Sequence, residues 1–299
     1  MPFQSSRPAF GGHEKFVFRQ GWLKKAVDAA LHAPDIFSRE EAFVELGVGK
    51  NMAAAIRYWG LATGFLEEST ENRSMVEPTV LGKTLLSDEG WDPYLEDIGT
   101  LWLIHWQLAR NQGRGLVWYL TFSRYYDVEF RKEHLIEFLE KQFTQIGIHT
   151  TLAMIEREVE VFLRTYIPSQ SRQGGNTEES LDCPLVDLNL IHLNDRVYRF
   201  DVGRKVSLPV EIFGYTLLEF IHSRDEKRRT ISVDECLYHP GSPGQIFKLD
   251  ENSMLDYLET LESLTNNALR LRETAGIRQI YLSTFTTESS WDLLRGYYE

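Results

Sequence analysis

A tight glycine turn, Gly47-Val48-Gly49, narrows the folds open to this chain more than any other feature, because helical apolar spacing runs up to it from both sides. Upstream, Gly21 to Leu31 sets Trp22, Leu23, Val27, Ala30 and Leu31 on one helical face. Pro34 ends that pattern. Ser38 stands three residues before Glu41, the spacing of a capping box, and predicts a second short helix to about Leu46 with Ala42, Phe43 and Leu46 inward. Downstream, Lys50 to Thr63 carries Met52, Ala55, Ile56 and Trp59 at helical spacing, and Gly64 suits the position just past its end. Phe65-Leu66 and Met75-Val76 predict two short strands around the polar stretch Glu67 to Ser74, and Pro78-Thr79 starts a helix through Leu85. Helix, helix, glycine turn, helix, two-stranded ribbon is the order of a winged helix-turn-helix, assigned to residues 13–87. Gly47-Val48-Gly49-Lys50 is not a phosphate loop: one residue instead of four separates the glycines, and Asn51 follows the lysine.

Residues 91–168 predict a helical middle domain. Ile98 to Ala109 is an apolar helix with Trp102 and Trp106 on one face, read as packed core. Glu133 to Phe143 and Thr150 to Tyr166 form a helix pair, the latter burying Leu152, Ile155, Val159 and Phe162. Glu156, Glu158 and Glu160 surround that helix and would repel phosphate. Ser169 to Ser180 is polar, with paired glycines, and reads as a linker. Residues 181–299 predict an α+β domain. It holds a hairpin of Val197 to Phe200 with Arg204 to Ser207, a helix opened by Pro209 to about His222, a Ser232/Glu235 capping box, a loop from His239 to Gly244 and a helix from Ser253 to Leu264. Ala268 to Glu273 and Ile277 to Leu282 around Thr274-Ala275-Gly276 suggest a second wing. The fold class read from these patterns is mainly α with small β wings, tandem winged helix-turn-helix-like units around a helical middle region.

Composition then excludes several functions. The 299 residues carry a net charge of −12, which repels nucleic acid and anionic membrane on average, so any polyanion contact needs a local patch. The two cysteines, Cys183 and Cys236, lie far apart and argue against a disulfide framework and for a reducing cytoplasm. Met1 to Gly12 lacks a signal-peptide core, and no apolar run reaches membrane-spanning length, so the chain is expected to be cytoplasmic and free of the membrane. The histidines and cysteines show no zinc-ligand spacing. Cys183, in Leu-Asp-Cys-Pro-Leu, reads as a buried small hydrophobe. Gly241-Ser242-Pro243-Gly244 is too short for a hydrolase elbow. Asp92 and Glu96 suit a helix N-terminus without catalysis. No catalytic residue, cofactor or metal is therefore expected, and the chain reads as non-enzymatic.

Nucleic acid remains as a ligand. Residues 1–60 hold eight basic side chains against six acidic ones, whereas residues 61–130 hold five against eleven. On the third helix Lys50, Asn51, Ala54, Arg57 and Tyr58 fall off the apolar stripe. Lysine and arginine suit phosphate or guanine, and asparagine suits adenine. The candidate DNA-binding residues are Lys50, Asn51 and Arg57, with Arg73 on the wing. Docking of a protein is the alternative, since winged helices serve that role too.

Several motifs are similar to an uncharacterised bacterial family, Domain of Unknown Function 4007. They are Gly12-His13-Glu14-x-Phe16, Gly21-Trp22-Leu23-Lys24-Lys25, Glu45 to Met52 with Ile56-Arg57-Tyr58-Trp59, Trp91 to Asp97 with Thr100 to Trp106, Phe162 to Tyr166, Cys183-Pro184-Leu185, and Gly241 to Leu249. The resemblance spans nearly the whole chain and carries no known chemistry. It implies a place beside phosphoadenosine-phosphosulfate-reductase-like genes in loci for DNA phosphorothioation and phage defence. The layout also resembles small helical DNA-binding proteins of phage-exclusion loci. Ala54 departs from the family pattern, which is often basic there. The expected function is a DNA-binding accessory or regulatory protein with double-stranded DNA as partner. The alternative is a scaffold for a sulfur-transfer or restriction enzyme.

Overall fold

A computed structural model describes residues 8–169, 182–225, 228–283 and 287–299. Apart from Ser169, the expected linker lies outside the described residues. The fold is mixed α/β, rich in helix, with small antiparallel sheets. Contacts divide the chain into one unit of residues 1–121 with 129–199 and a second of 122–128 with 200–299.

In the first unit, α1 (Trp22–His32) starts at Gly21, whose φ of +82° favours glycine. It buries Trp22, Leu23, Val27 and Ala30, but Leu31 is exposed, contrary to the sequence expectation. Lys24 is also buried, held by Asp28 and Asp88 at 2.6 Å each. A 3-10 turn (Ile36–Ser38) precedes α2 (Ala42–Glu45). Ser38 does not cap this helix: its hydroxyl donates to the Asp35 carbonyl, and Glu41 takes the cap position. α3 (Lys50–Ala62) follows Gly49 and buries Ala53, Ala55, Ile56, Tyr58 and Trp59. β1 (Leu66–Glu68) and β2 (Val76–Pro78) pair antiparallel, Leu66 opposite Pro78 and Glu68 opposite Val76. Thr79 then caps α4 (Val80–Leu86) by accepting from the Gly82 amide. Gly82 admits no side chain, because a Cβ would lie 2.2 Å from the Phe65 carbonyl oxygen.

Asp97 caps α5 (Ile98–Arg110), whose Trp102 and Trp106 are buried. α6 (Leu116–Arg124) is a helix that the sequence patterns did not reveal; residues through Thr121 belong to the first unit. β3 (Glu129–Phe130), α7 (Lys132–Gln145) and α8 (Leu152–Tyr166) follow. α8 buries Ile155, Val159 and Phe162 but exposes Leu152. After a 3-10 turn (Pro184–Leu188), β4 (Ile191–Asn194) and β5 (Val197–Phe200) complete a sheet ordered β3-β5-β4. The strand beside Val197–Phe200 is thus β4, not Arg204 to Ser207. Asp195 and Arg196, both at positive φ, form the tight turn between β4 and β5.

The second unit contains α9 (Val210–Arg224), β6 (Thr230–Ser232), α10 (Val233–Tyr238) and α11 (Pro243–Ile246). It continues with α12 (Glu251–Leu264), β7 (Leu269–Thr274), β8 (Ile277–Leu282) and α13 (Thr287–Tyr298). Its antiparallel sheet runs β6-β8-β7. Ser232 does cap α10, accepting from the Glu235 amide. The predicted loop from His239 to Gly244 contains the start of α11, with Ser242 as cap and Pro243 in its first turn, where a missing N–H costs nothing. Cys183 in the first unit and Cys236 in the second are buried free thiols. Among the described residues, no helix is long and apolar enough to cross a membrane.

Candidate nucleic-acid interface

α3 carries the candidate residues on the side opposite its core. Trp59 anchors that core side. It is fully buried, its ring meets Phe18 and Trp118 at centroid distances of 5.6 Å each, and its Nε1 donates to the Phe16 carbonyl at 3.0 Å. Lys50 and Asn51 lie at the exposed N-terminal end. Gly49 offers no side-chain cap there, so the amides of the first turn and the positive end of the helix dipole face outward. Arg73 is exposed in the loop joining β1 to β2.

Arg57 is half-buried and already engaged. Its Nη2 donates to Glu68 Oε1 and to the Arg73 carbonyl, each at 3.3 Å. The side chain expected to contact DNA therefore also ties the β1–β2 ribbon to α3. Tyr58 does not join the exposed face. It is buried, and its hydroxyl donates to the Arg114 carbonyl at 2.6 Å. Helical spacing places it off the apolar stripe, but packing against the Asn111–Arg114 turn covers it.

Lys50, Ala54 and Arg57 line one groove of about 800 Å³, together with Arg39, Arg114, Glu14 and Glu40. Asn51 and Arg73 are not on its lining. Charge in the groove is largely internally balanced. Arg39 pairs with Asp35 at 2.7 Å and Glu45 at 3.1 Å. Arg57 and Arg114 share Glu68. Partial burial pushes the Glu68 carboxyl up, but the Arg114 hydrogen bond and the two guanidinium charges outweigh it and hold the group below the usual carboxylate range. Among the described residues, no side chain pairs with Lys50 or Arg73.

Beside the groove the structure buries a pair that sequence reasoning missed. His13 Nε2 lies 3.1 Å from Glu158 Oε1, and both residues are almost wholly enclosed. The Gly11 amide donates to the same carboxylate oxygen at 2.6 Å, and the Lys15 amide donates to His13 Nδ1. The ring nitrogen at 3.1 Å is poorly aligned for a hydrogen bond, so the contact is a close polar approach. It fastens residues 11–15, which border the groove, to α8. Sequence spacing places Glu158 on an acidic helix surface, and nothing in its neighbours distinguishes it from Glu156 or Glu160. Among the described residues, no group of three or more His, Cys, Asp or Glu side chains is placed to hold a metal ion.

Residues 10–298 match the family described as a protein of unknown function, DUF4007. The chain belongs to that family. Two solved structures are similar over 98% of the chain and 88% of their own. One is a crystal structure of SspB, with a TM-score of 0.89 and 29% identity. The other is a crystal structure of magnesium ion-bound SspB, with a TM-score of 0.88 and 30% identity. No curated protein matches the chain.

Proposed function

We propose that this protein binds double-stranded DNA through its first unit and acts without catalysis of its own, as an accessory or regulator in DNA modification, of phosphorothioation type, or in phage defence. In this reading α1 to β2 form a winged helix-turn-helix, α3 is the recognition helix and the β1–β2 ribbon is the wing. The observation that carries it is the exposed, uncapped start of α3 with Lys50 and Asn51, beside a ribbon whose loop carries Arg73. Helix N-termini receive phosphates because their free amides and dipole suit an anion.

The second unit also places a two-stranded hairpin after helices, though β6 and α11 have no counterpart in the first, and two arginines of that hairpin are spent on carboxylates. Arg278 pairs with Glu251 at 2.5 Å and Glu273 at 2.9 Å, and Arg272 pairs with Glu262 at 3.0 Å. That surface suits protein docking better than DNA. A phosphoadenosine-phosphosulfate-reductase-like enzyme is the partner class implied by the family resemblance.

Fluorescence anisotropy with labelled duplex at several salt concentrations tests the proposal. Lys50→Ala is expected to weaken binding and flatten the salt dependence by about one phosphate contact, a change of ~0.9 in the log–log slope. Absence of duplex binding at low salt, with modified and unmodified DNA alike, would transfer the function to the docking reading. Pull-down of a modification enzyme that survives nuclease would then support docking.

The magnesium-bound relative favours a second reading, magnesium-dependent chemistry on DNA. Magnesium is commonly held by one or two carboxylates plus substrate phosphates; Glu14 and Glu40 line the groove that Lys50 and Arg57 share. Supercoiled plasmid incubated with the protein and magnesium separates the readings: intact plasmid fits a binding protein, and magnesium-dependent strand breaks would replace the non-enzymatic reading.

A further inference from the structure

Arg114 was not singled out by any sequence pattern, yet it is held against α3 as firmly as the helix's own residues. It ends the turn between α5 and α6. Asn111 Oδ1 accepts from the Gly113 and Arg114 amides at 3.0 Å each. Asn111 Nδ2 donates to the Leu61 and Ala62 carbonyls at the far end of α3, at 3.3 and 2.9 Å. Tyr58 of α3 donates to the Arg114 carbonyl, and the Ala9 amide donates to the Gly113 carbonyl. The turn is therefore fixed from both sides.

The Arg114 side chain meets Arg57 across a single carboxylate. Glu68 Oε1 accepts from both Arg114 Nη2 and Arg57 Nη2. The strand pleat explains its aim: Leu66 and Glu68 share a face, Leu66 is buried, and Glu67 between them points to solvent. All three members keep access to water. Their side chains are 28% exposed for Arg57, 23% for Arg114 and 33% for Glu68. Arg57 and Arg114 both line the groove, where Ala54, one turn before Arg57, leaves open space.

We propose that Arg57 and Arg114 form a two-guanidinium fork for a phosphate oxyanion, and that Glu68 is a resident anion which the phosphate displaces. Two guanidinium groups facing one oxyanion suit phosphate in charge and geometry. Without an anion between them they would repel each other, so Glu68 keeps the fork assembled while empty. Displacement trades one anion for another, which makes a lone phosphate a weak ligand and favours a ligand presenting several phosphates. The inference deepens the DNA-binding reading by naming a phosphate site in it, and rests on that reading for the identity of its natural ligand.

The test uses the full chain as wild type, Glu68→Gln and Arg114→Lys. Each is titrated with labelled duplex by anisotropy and with inorganic pyrophosphate by calorimetry. Thermal melts show whether each variant is folded. Glu68→Gln opens the fork and is expected to bind both ligands about fivefold tighter, the order expected from releasing its two partly exposed ion pairs. Arg114→Lys keeps the charge, loses the planar donors, and is expected to weaken both. A folded Glu68→Gln protein no tighter than wild type for either ligand would overturn the proposal. Should Glu68→Gln not fold, unchanged binding by Arg114→Lys would overturn it. Duplex bound equally by all three proteins removes the fork and leaves the DNA reading standing. Pyrophosphate tightened by Glu68→Gln with no duplex binding removes the DNA reading and keeps the fork. No binding of either ligand removes both.

Discussion

Trp59 is the residue on which the placement of α3 depends, and its removal gives a measurable test. The ring is fully buried and packs edge-on against Trp118 at 5.6 Å, and its Nε1 donates to the Phe16 carbonyl at 3.0 Å. Trp59→Ala removes a large apolar surface and leaves a cavity, together costing about 3–5 kcal/mol. It also strands the Phe16 carbonyl acceptor, which by itself costs about 1–3 kcal/mol, although part of that is already inside the first figure. The expected loss is therefore about 4–6 kcal/mol, comparable to the whole stability of many domains. Trp59→Phe separates the effects: most of the volume remains, the donor is lost, and the expected cost is about 1–3 kcal/mol. Equilibrium urea unfolding followed by far-ultraviolet circular dichroism measures both, free of the change in tryptophan emission. A Trp59→Ala protein within about 1 kcal/mol of wild type, with unchanged cooperativity, would refute the claim that this ring fixes α3.

Two further predictions concern titratable groups whose ionisation is opposed by desolvation. Burial pushes the Lys248 ammonium down to about 7, where it donates to the Phe122 carbonyl at 2.7 Å and lies 4.4 Å from the Phe200 ring centre. Between about 7 and the ordinary lysine value of ~10.4 the unfolded chain binds more protons, so stability should rise with pH across that window and be lowest below it. The whole gap corresponds to about 5 kcal/mol, but the carbonyl and ring contacts favour the ammonium, and a rise of about 2 kcal/mol is expected. Lys248→Met should flatten this rise in chemical-denaturation curves, and an identical pH dependence in both proteins would refute the assignment. Burial also pushes the Cys183 and Cys236 thiols well above the usual range. Neither should react with Ellman's reagent in the native protein at mildly alkaline pH, and both should react in denaturant; rapid native labelling of either would contradict its burial.

What the sequence revealed and what it hid follows the range of the interactions involved. α3 was legible because its apolar spacing, its glycines and its Trp59 all act within a few turns, and the helix spans Lys50–Ala62 against an expected Lys50 to Thr63. Ser38/Glu41 and Ser232/Glu235 are the same local pattern with opposite outcomes. Ser232 is the last residue of strand β6, with an extended backbone, ψ 150°, and caps the next helix. Ser38 lies inside a 3-10 turn, where its hydroxyl is taken by Asp35. The backbone leading into the cap decides between them, and residue spacing does not encode it. α6 escaped because its apolar residues surround the helix and leave no stripe. Arg114 and Glu158 escaped because their partners, Glu68 and His13, are far away in sequence.

The net charge of −12 leaves open where unspent positive charge resides, and the ion pairs answer that for the groove. Among the described residues, four cations line it; Arg39, Arg57 and Arg114 each face a carboxylate, and Lys50 does not. Affinity for a polyanion therefore cannot come from filling a vacant positive cleft. On the proposed DNA-binding reading it comes from Lys50, Arg73 and the free amides at the start of α3, supplemented by the proposed exchange of carboxylate for phosphate at the arginines. Each exchange gives back most of what it gains, because the displaced carboxylate loses a partner as the phosphate acquires one. Such a surface holds a ligand only when several exchanges occur together, which selects a chain of phosphates over a single one and keeps binding reversible at moderate salt. On that proposed reading, the internal ion pairs that weaken the groove as a general anion trap favour a polymer backbone laid along α3 over a lone anion.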